Sequence, residues 1–145
     1  MSFDSFNDFL DDAVNTLRKR LGNSITVERQ FPHKVKPLPL NKITVAVGVK
    51  KSSYTPECIG NILTSNHTGK KISANIEVAV YVPMSMESTL AYSTLEGVLN
   101  ILHSDERFWV TEAEHGVISS NRVTGSFELH CILTSTLYET EEYLC

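Results

Sequence analysis

"KISANIEVAVYVP", residues 71–83, alternates with the period of a β-strand, and its two faces differ in kind. Ile72, Ala74, Ile76, Val78, Val80 and Val82 share one side, apolar throughout, which must lie on a core. Ser73, Asn75, Glu77, Ala79 and Tyr81 share the other, with Glu77 its single charge. A half-buried strand has a core side and a solvated side, and open sheet surface is ordinarily protected by charge. A cover other than bulk water is therefore expected on this second side.

Neighbouring segments repeat the pattern. "KITVAVGVK", residues 42–50, points Ile43, Val45, Val47 and Val49 inward and leaves Thr44, Ala46 and Gly48 on its reverse. The run through "GSFELHCILT" places Val123, Gly125, Phe127, Leu129, Cys131 and Leu133 on one face. Its reverse carries Thr124, Ser126, Glu128, His130, Ile132 and Thr134. "SITVERQF" predicts a short strand with Ile25, Val27 and Phe31, and "RFWVTEAEH" another with Trp109 as an anchor. Between them "PHKVKPLPLN" holds Pro32, Pro37 and Pro39, which suits an extended loop or a ragged edge.

Two stretches change period. Phe6, Phe9, Leu10, Ala13, Val14, Leu17 and Leu21 form the stripe of an amphipathic helix, with Asp4 and Asp8 near its start and Arg18 to Arg20 near its end. Gly22 follows as its C-cap. A second helix follows Pro83, capped by Ser85 or Ser88, with Ala91, Leu95, Val98, Leu99 and Leu102 on one face. Residues 51–70, rich in Ser, Thr, Asn, Gly and Pro, predict a long loop, functional or mobile rather than filler. The acidic residues 139–145 predict a short mobile tail.

The order is α-β-β-β-α-β-β in a single domain over residues 1–145. It predicts an α+β two-layer sandwich, a mainly antiparallel sheet of four to five strands with two helices on one face. The reverse faces are small and hydroxylic, too polar for a second core and too poor in charge for open water. The expected interface set is Ala46, Gly48, Ser73, Asn75, Ala79 and Tyr81 on the sheet, with Tyr54, Ile59, Ile62 and Leu63 as apolar anchors in the loop.

A chain of 145 residues can bury a sizeable core without staples, and 41% apolar with 21% charged residues is the balance of a folded protein. A net charge of −4 argues against a dedicated nucleic-acid binder. Cys58, Cys131 and Cys145, odd in number and widely spaced, suggest reduced thiols in a cytosolic protein rather than a disulfide framework. The acidic, amphipathic N-terminus resembles neither a signal nor a transit peptide, and no apolar run approaches the ~18 residues of a membrane span.

Catalytic patterns fail one by one. "NHTGKK" lacks the glycine five residues before its Gly-Lys pair, where Thr64 stands, and Lys71 occupies the Ser/Thr position of a phosphate loop. "EAEH" sets Glu112 and Glu114 on one strand face without a second ligand cluster, so a solvated strand end is expected. His33, His67, His103, His115 and His130 fall at no ligand spacing. No catalytic residue, metal or cofactor is expected; the chain reads as one that works through its surfaces.

The succession of an amphipathic helix, "ITVAVGVK", a long polar segment, "ISANIEVAVYVP", a helix opening "MESTLAYSTLEGVL" and a long final strand resembles the tail terminator (tail completion) proteins of tailed bacteriophages, the lambda type in particular. The resemblance covers nearly the whole chain. It implies a non-enzymatic virion protein of the tail and neck, assembled in the bacterial cytoplasm. Such a protein forms a homo-hexameric ring on the last ring of tail tube protein, stops tube polymerisation and offers the head-joining surface. The implied partners are the tail tube protein, a head–tail connector or neck protein, and the sheath where the tail is contractile, with DNA in passing contact in the channel and no membrane. Another neck component, such as a connector or a tail-to-head joining protein, is the competing class. A small α+β ligand-binding domain is a more distant one, and it would need an apolar pocket with convergent polar groups.

Overall fold

The computed structural model describes residues 6–29, 41–58, 67–106, 108, 110–122 and 125–142. The α+β class holds, and so does the expected order, with one short strand added. Helix α1 (Phe6–Leu21) leads to β1 (Ile25–Arg29), β2 (Ile43–Cys58) and β3 (His67–Pro83). Helix α2 (Leu90–Ser104), β4 (Val110–His115), β5 (Ser119–Asn121) and β6 (Ser126–Glu142) complete the chain. The six-stranded sheet runs β1-β2-β3-β6-β4, with β5 paired to β6. All pairs are antiparallel except β1 with β2.

Both helices pack on the face predicted to be the core side. Phe9, Leu10, Ala13, Val14 and Leu17 of α1 pack toward β1 and β2, and Ala91, Leu95, Val98 and Leu102 of α2 toward β3 and β6. They form one core with Val27, Val45, Val47 and the row Ala74, Ile76, Val78, Val80 and Val82 of β3. Leu129, Cys131 and Leu133 of β6 continue that layer. Leu99 is only partly buried, because the inward edge of α2 passes through Leu95, Val98 and Leu102. At the far edge Arg18 donates from Nε to the carbonyl of Val27 at 3.0 Å, and Arg29 reaches Asn7 at 3.0 Å and Asp11 at 3.4 Å. These bonds fasten α1 to the edge strand.

Gly22 ends α1 with φ 80°, the left-handed geometry that a C-cap glycine supplies. Helix α2 starts after Thr89, which makes no side-chain cap bond, rather than being capped by Ser85 or Ser88. Gly125, expected inside the last strand, sits in the turn before it with φ 64°. Phe108 is the buried aromatic next to β4, edge-on to Phe9 with ring centroids 5.4 Å apart. Trp109, Phe31 and the proline-rich residues 32–40 lie outside the described residues.

Two expectations about irregular structure are corrected. Residues 51–58 and 67–70, expected as loop, continue β2 and β3, paired from Lys51↔Asn75 to Cys58↔Thr68 across a bulge after Val49. Residues 139–142, expected as an acidic tail, are the end of β6, paired to β3 as far as His67↔Glu142. Backbone pairing does not depend on the side chains being apolar, and Ser and Thr are compatible with a ladder. Residues 59–66 and 143–145 lie outside the described residues. The three long strands thus extend far past the helices: the 17 residues of β3 span roughly 56 Å, whereas the 16 residues of α1 span about 24 Å.

Candidate functional surface

The reverse face of the sheet is built from cross-strand rows. Thr44, Tyr81 and Glu128 form one, and Glu28, Ala46, Ala79 and His130 the next. Gly48, Glu77, Ile132 and Glu114 follow, and then Lys51, Asn75, Thr134 and Glu112. Ser53, Ser73 and Thr136 make a further row. Six of the expected interface residues, Ala46, Gly48, Ser73, Asn75, Ala79 and Tyr81, are therefore brought together on one surface. Tyr54 is not among them. It falls in register with Ile72 and Leu137, the alternate row that continues the helix side, because the bulge after Val49 resets the phase of β2. Ile59, Ile62 and Leu63 lie outside the described residues.

The surface differs from the expectation in two respects. Ala46 and Ala79 are each only 1% exposed within the single chain, so no neighbour is needed to cover them. Both are short and directly paired, flanked in their own row by Glu28 and His130 and sunk between rows that carry Glu77, Tyr81 and Glu128. The face is also not poor in charge. Strand by strand it carries few ionisable groups, but the register gathers Glu28, Glu77 and Glu128, with Glu112 and Glu114 toward the β4 edge. Lys51 stands in the same rows and Lys50 beside Glu77, so carboxylates outnumber lysines on the assembled face.

A polar layer over the small floor satisfies much of this charge. The side chain of Glu77 is 12% exposed and that of Glu128 16%. His130 lies between them, with Nε2 3.2 Å from Glu128 Oε2 and Nδ1 3.8 Å from Glu77 Oε1. Lys50 donates to Glu77 Oε2 at 3.5 Å, and Thr134 donates to Asn75 Oδ1 at 3.3 Å. The ring of Tyr81 stands edge-on to His130 at 6.3 Å. Partial burial of Tyr81 pushes its phenol above the ordinary tyrosine range, and the charges of Glu128 and Glu77 push the same way.

That shift gives a measurable consequence. A raised folded-state pKa stabilises the neutral phenol, so its contribution is present below the unfolded tyrosine value of about 10 and is lost as pH rises through the folded one. Spectrophotometric titration of the folded chain is expected to show a late phenolate component that disappears from the curve in Tyr81→Phe. A difference curve with an ordinary midpoint would refute the assignment.

Elsewhere the chemistry is sparse. Among the described residues no group of His, Cys, Asp and Glu could hold a metal ion. The "EAEH" residues lie on an exposed edge strand, where His115 stacks edge-on against Tyr92 at 5.8 Å and sets Nδ1 2.8 Å from the Gly116 carbonyl. Cys131 is buried on the core side, and burial raises its thiol pKa, which keeps it unreactive. Cys58 lies on β2 and Cys145 outside the described residues. The "HTGKK" residues are strand, part of β3. An open cleft of about 290 Å³ between α2 and β4 is lined by Leu99, His103, Val110 and Glu112 among others. It lacks the enclosure by which small-molecule sites bury most of a ligand.

No described helix is long and apolar enough to cross a membrane. No family model matches the chain, and no curated protein matches it.

Proposed function

We propose that this chain is a tail terminator of a tailed phage or phage-derived particle. It would form a hexameric ring at the head-proximal end of the tail tube, stop tube polymerisation and provide the head-joining surface. The observation that carries the reading is the three-stranded continuation of the sheet. Strands of 16 and 17 residues run well beyond the reach of two helices of 15 and 16. A small domain has little use for so much sheet outside its own core, whereas a subunit of a larger assembly uses it as contact area. The helix and strand order agrees with the one on which the resemblance rests.

Two further features support the reading. At the other end of β3, Met84 and Met86 are exposed in the turn, so each end of the long strand offers a different kind of surface. The acidic reverse face would repel a phosphate backbone, which suits a ring wall that lets DNA slide past.

Purified chain added to isolated tail tubes tests the proposal. Electron microscopy is expected to show one extra ring, at one tube end only, on tubes that then fail to elongate when tube protein is supplied. Tubes that bind the chain along their sides, or elongate unhindered, would contradict it.

A further inference from the structure

We propose that the outer edge of β6 in one copy pairs, parallel and in register, with the outer edge of β2 in a second copy, so that copies join head to tail through a continuous sheet. The inference deepens the ring reading and rests on it for the number of copies, but the junction follows from the strands themselves.

Among the described residues, β1 pairs with β2 only over Ile43–Val47, and β4 pairs with β6 no further than Ser135. Beyond those points β2 and β6 each leave one side of the backbone without a strand partner. Unpaired edges are templates for another strand. The connectivity then restricts the partner. Both β2 and β6 run antiparallel to β3, hence parallel to each other. Copies related by rotation about a ring axis present β6 of one beside β2 of the next, and such a junction is parallel and heterologous.

The sequence at the two edges selects this junction over its two-fold alternative. The β6 edge ends in Glu139, Glu141 and Glu142, so pairing two β6 edges antiparallel would bring carboxylates into facing rows, which is destabilising. The free β2 edge from Ser53 to Cys58 carries a single carboxylate, Glu57. Register within the chain links Ser53 to Thr136, Tyr54 to Leu137, Thr55 to Tyr138 and Glu57 to Thr140 through β3. A junction that keeps those rows level repeats the same neighbours between copies. The Tyr54 position falls beside that of Leu137, and no row sets like charges together. The end of the β4 pairing at Ser135 sets the start of the junction at Ser53 beside Thr136, and Pro56, which lacks a donor, interrupts its ladder beside Glu139. A chain blunted there to remain single is the outcome that would defeat the proposal.

Two charge variants test it in the full chain. One carries Ser53→Glu with Thr136→Glu, the other Ser53→Lys with Thr136→Lys. In either alone every junction sets like charges in one row; mixed, every junction sets opposite charges. Sedimentation is expected to show the unaltered chain assembling. Each variant alone should need roughly fivefold higher concentration per junction, and an equimolar mixture should recover assembly with both chains present in equal amounts. Equal melting temperatures of the two variants keep misfolding out of the comparison. An unaltered chain that is monomeric at every concentration, variants that assemble alone like the parent, or a mixture that fails to recover would each overturn the junction. None of those outcomes bears on whether the chain caps tube ends, which the tube experiment reads separately.

Discussion

Phe108→Ala is expected to lower the unfolding free energy by about 3–5 kcal/mol, the cost of removing a large aromatic from a packed core. Phe108 is fully buried, and its ring meets that of Phe9 at an interplanar angle of 85°, the edge-to-face arrangement aromatic pairs favour. Its carbonyl accepts a hydrogen bond from the buried hydroxyl of Ser135 on β6. The residue therefore links the first helix, the segment after the second helix, and the sheet. Truncation leaves a cavity that three elements would have to close together, so relaxation can recover little of the loss. Ser135→Ala should cost less, roughly 1–3 kcal/mol, because it takes the donor from a buried carbonyl without opening the core. Urea unfolding of both variants gives the comparison. A Phe108→Ala midpoint indistinguishable from that of the parent would show that the aromatic pair does not hold the layers together.

The importance of Phe108 was hard to see in the sequence, where Trp109 next to it is the larger apolar residue. A burial pattern in a short segment between a helix and an edge strand has no period to read. The helices were legible for the opposite reason. The stripe from Phe9 to Leu17 repeats over several turns, and each repeat strengthens the same inference. The central strands were legible as far as their apolar face continues, through Val45, Val47 and Val49 on β2 and from Ala74 to Val82 on β3.

Where both faces become polar, alternation carries no signal. Residues 51–58 and 67–70 then resemble a loop by composition, and Pro56 reinforces the impression. What extends the strands there is pairing with β3 and β6, a long-range property that no local window contains. The acidity of the reverse face was hidden in the same way. Glu28, Glu77 and Glu128 stand far apart in the chain, and only the register of β1, β2, β3 and β6 sets them on neighbouring rows. The small residues Ala46 and Ala79 suggested a surface awaiting a cover, but the cover is the tall polar side chains of their own sheet. A charge placed at either alanine would therefore disturb the fold as well as any contact. Ser73 and Asn75, half-buried on the same face, are better positions to probe assembly.

On the proposed function, a lineage lacking this chain is expected to accumulate DNA-filled heads and tail tubes that do not join, many of the tubes overlong. Each ring presents the surface that the next ring recognises, and a heterologous contact of that kind has no intrinsic end. A terminator must match the last ring on one side and withhold the growing surface on the other. This chain has ends of different character: paired strands of polar sequence at the β3 start, and the exposed Met84 and Met86 beyond its finish. Loss of the chain removes the block and the joining surface together, so tube length and head attachment should fail as a pair. Lysates examined by negative-stain electron microscopy give both quantities from the same grids, and adding back the purified chain should restore both. Tails of normal length that remain unjoined would assign the chain to the neck beyond the terminator. Joined tails of normal length would remove it from tail assembly altogether.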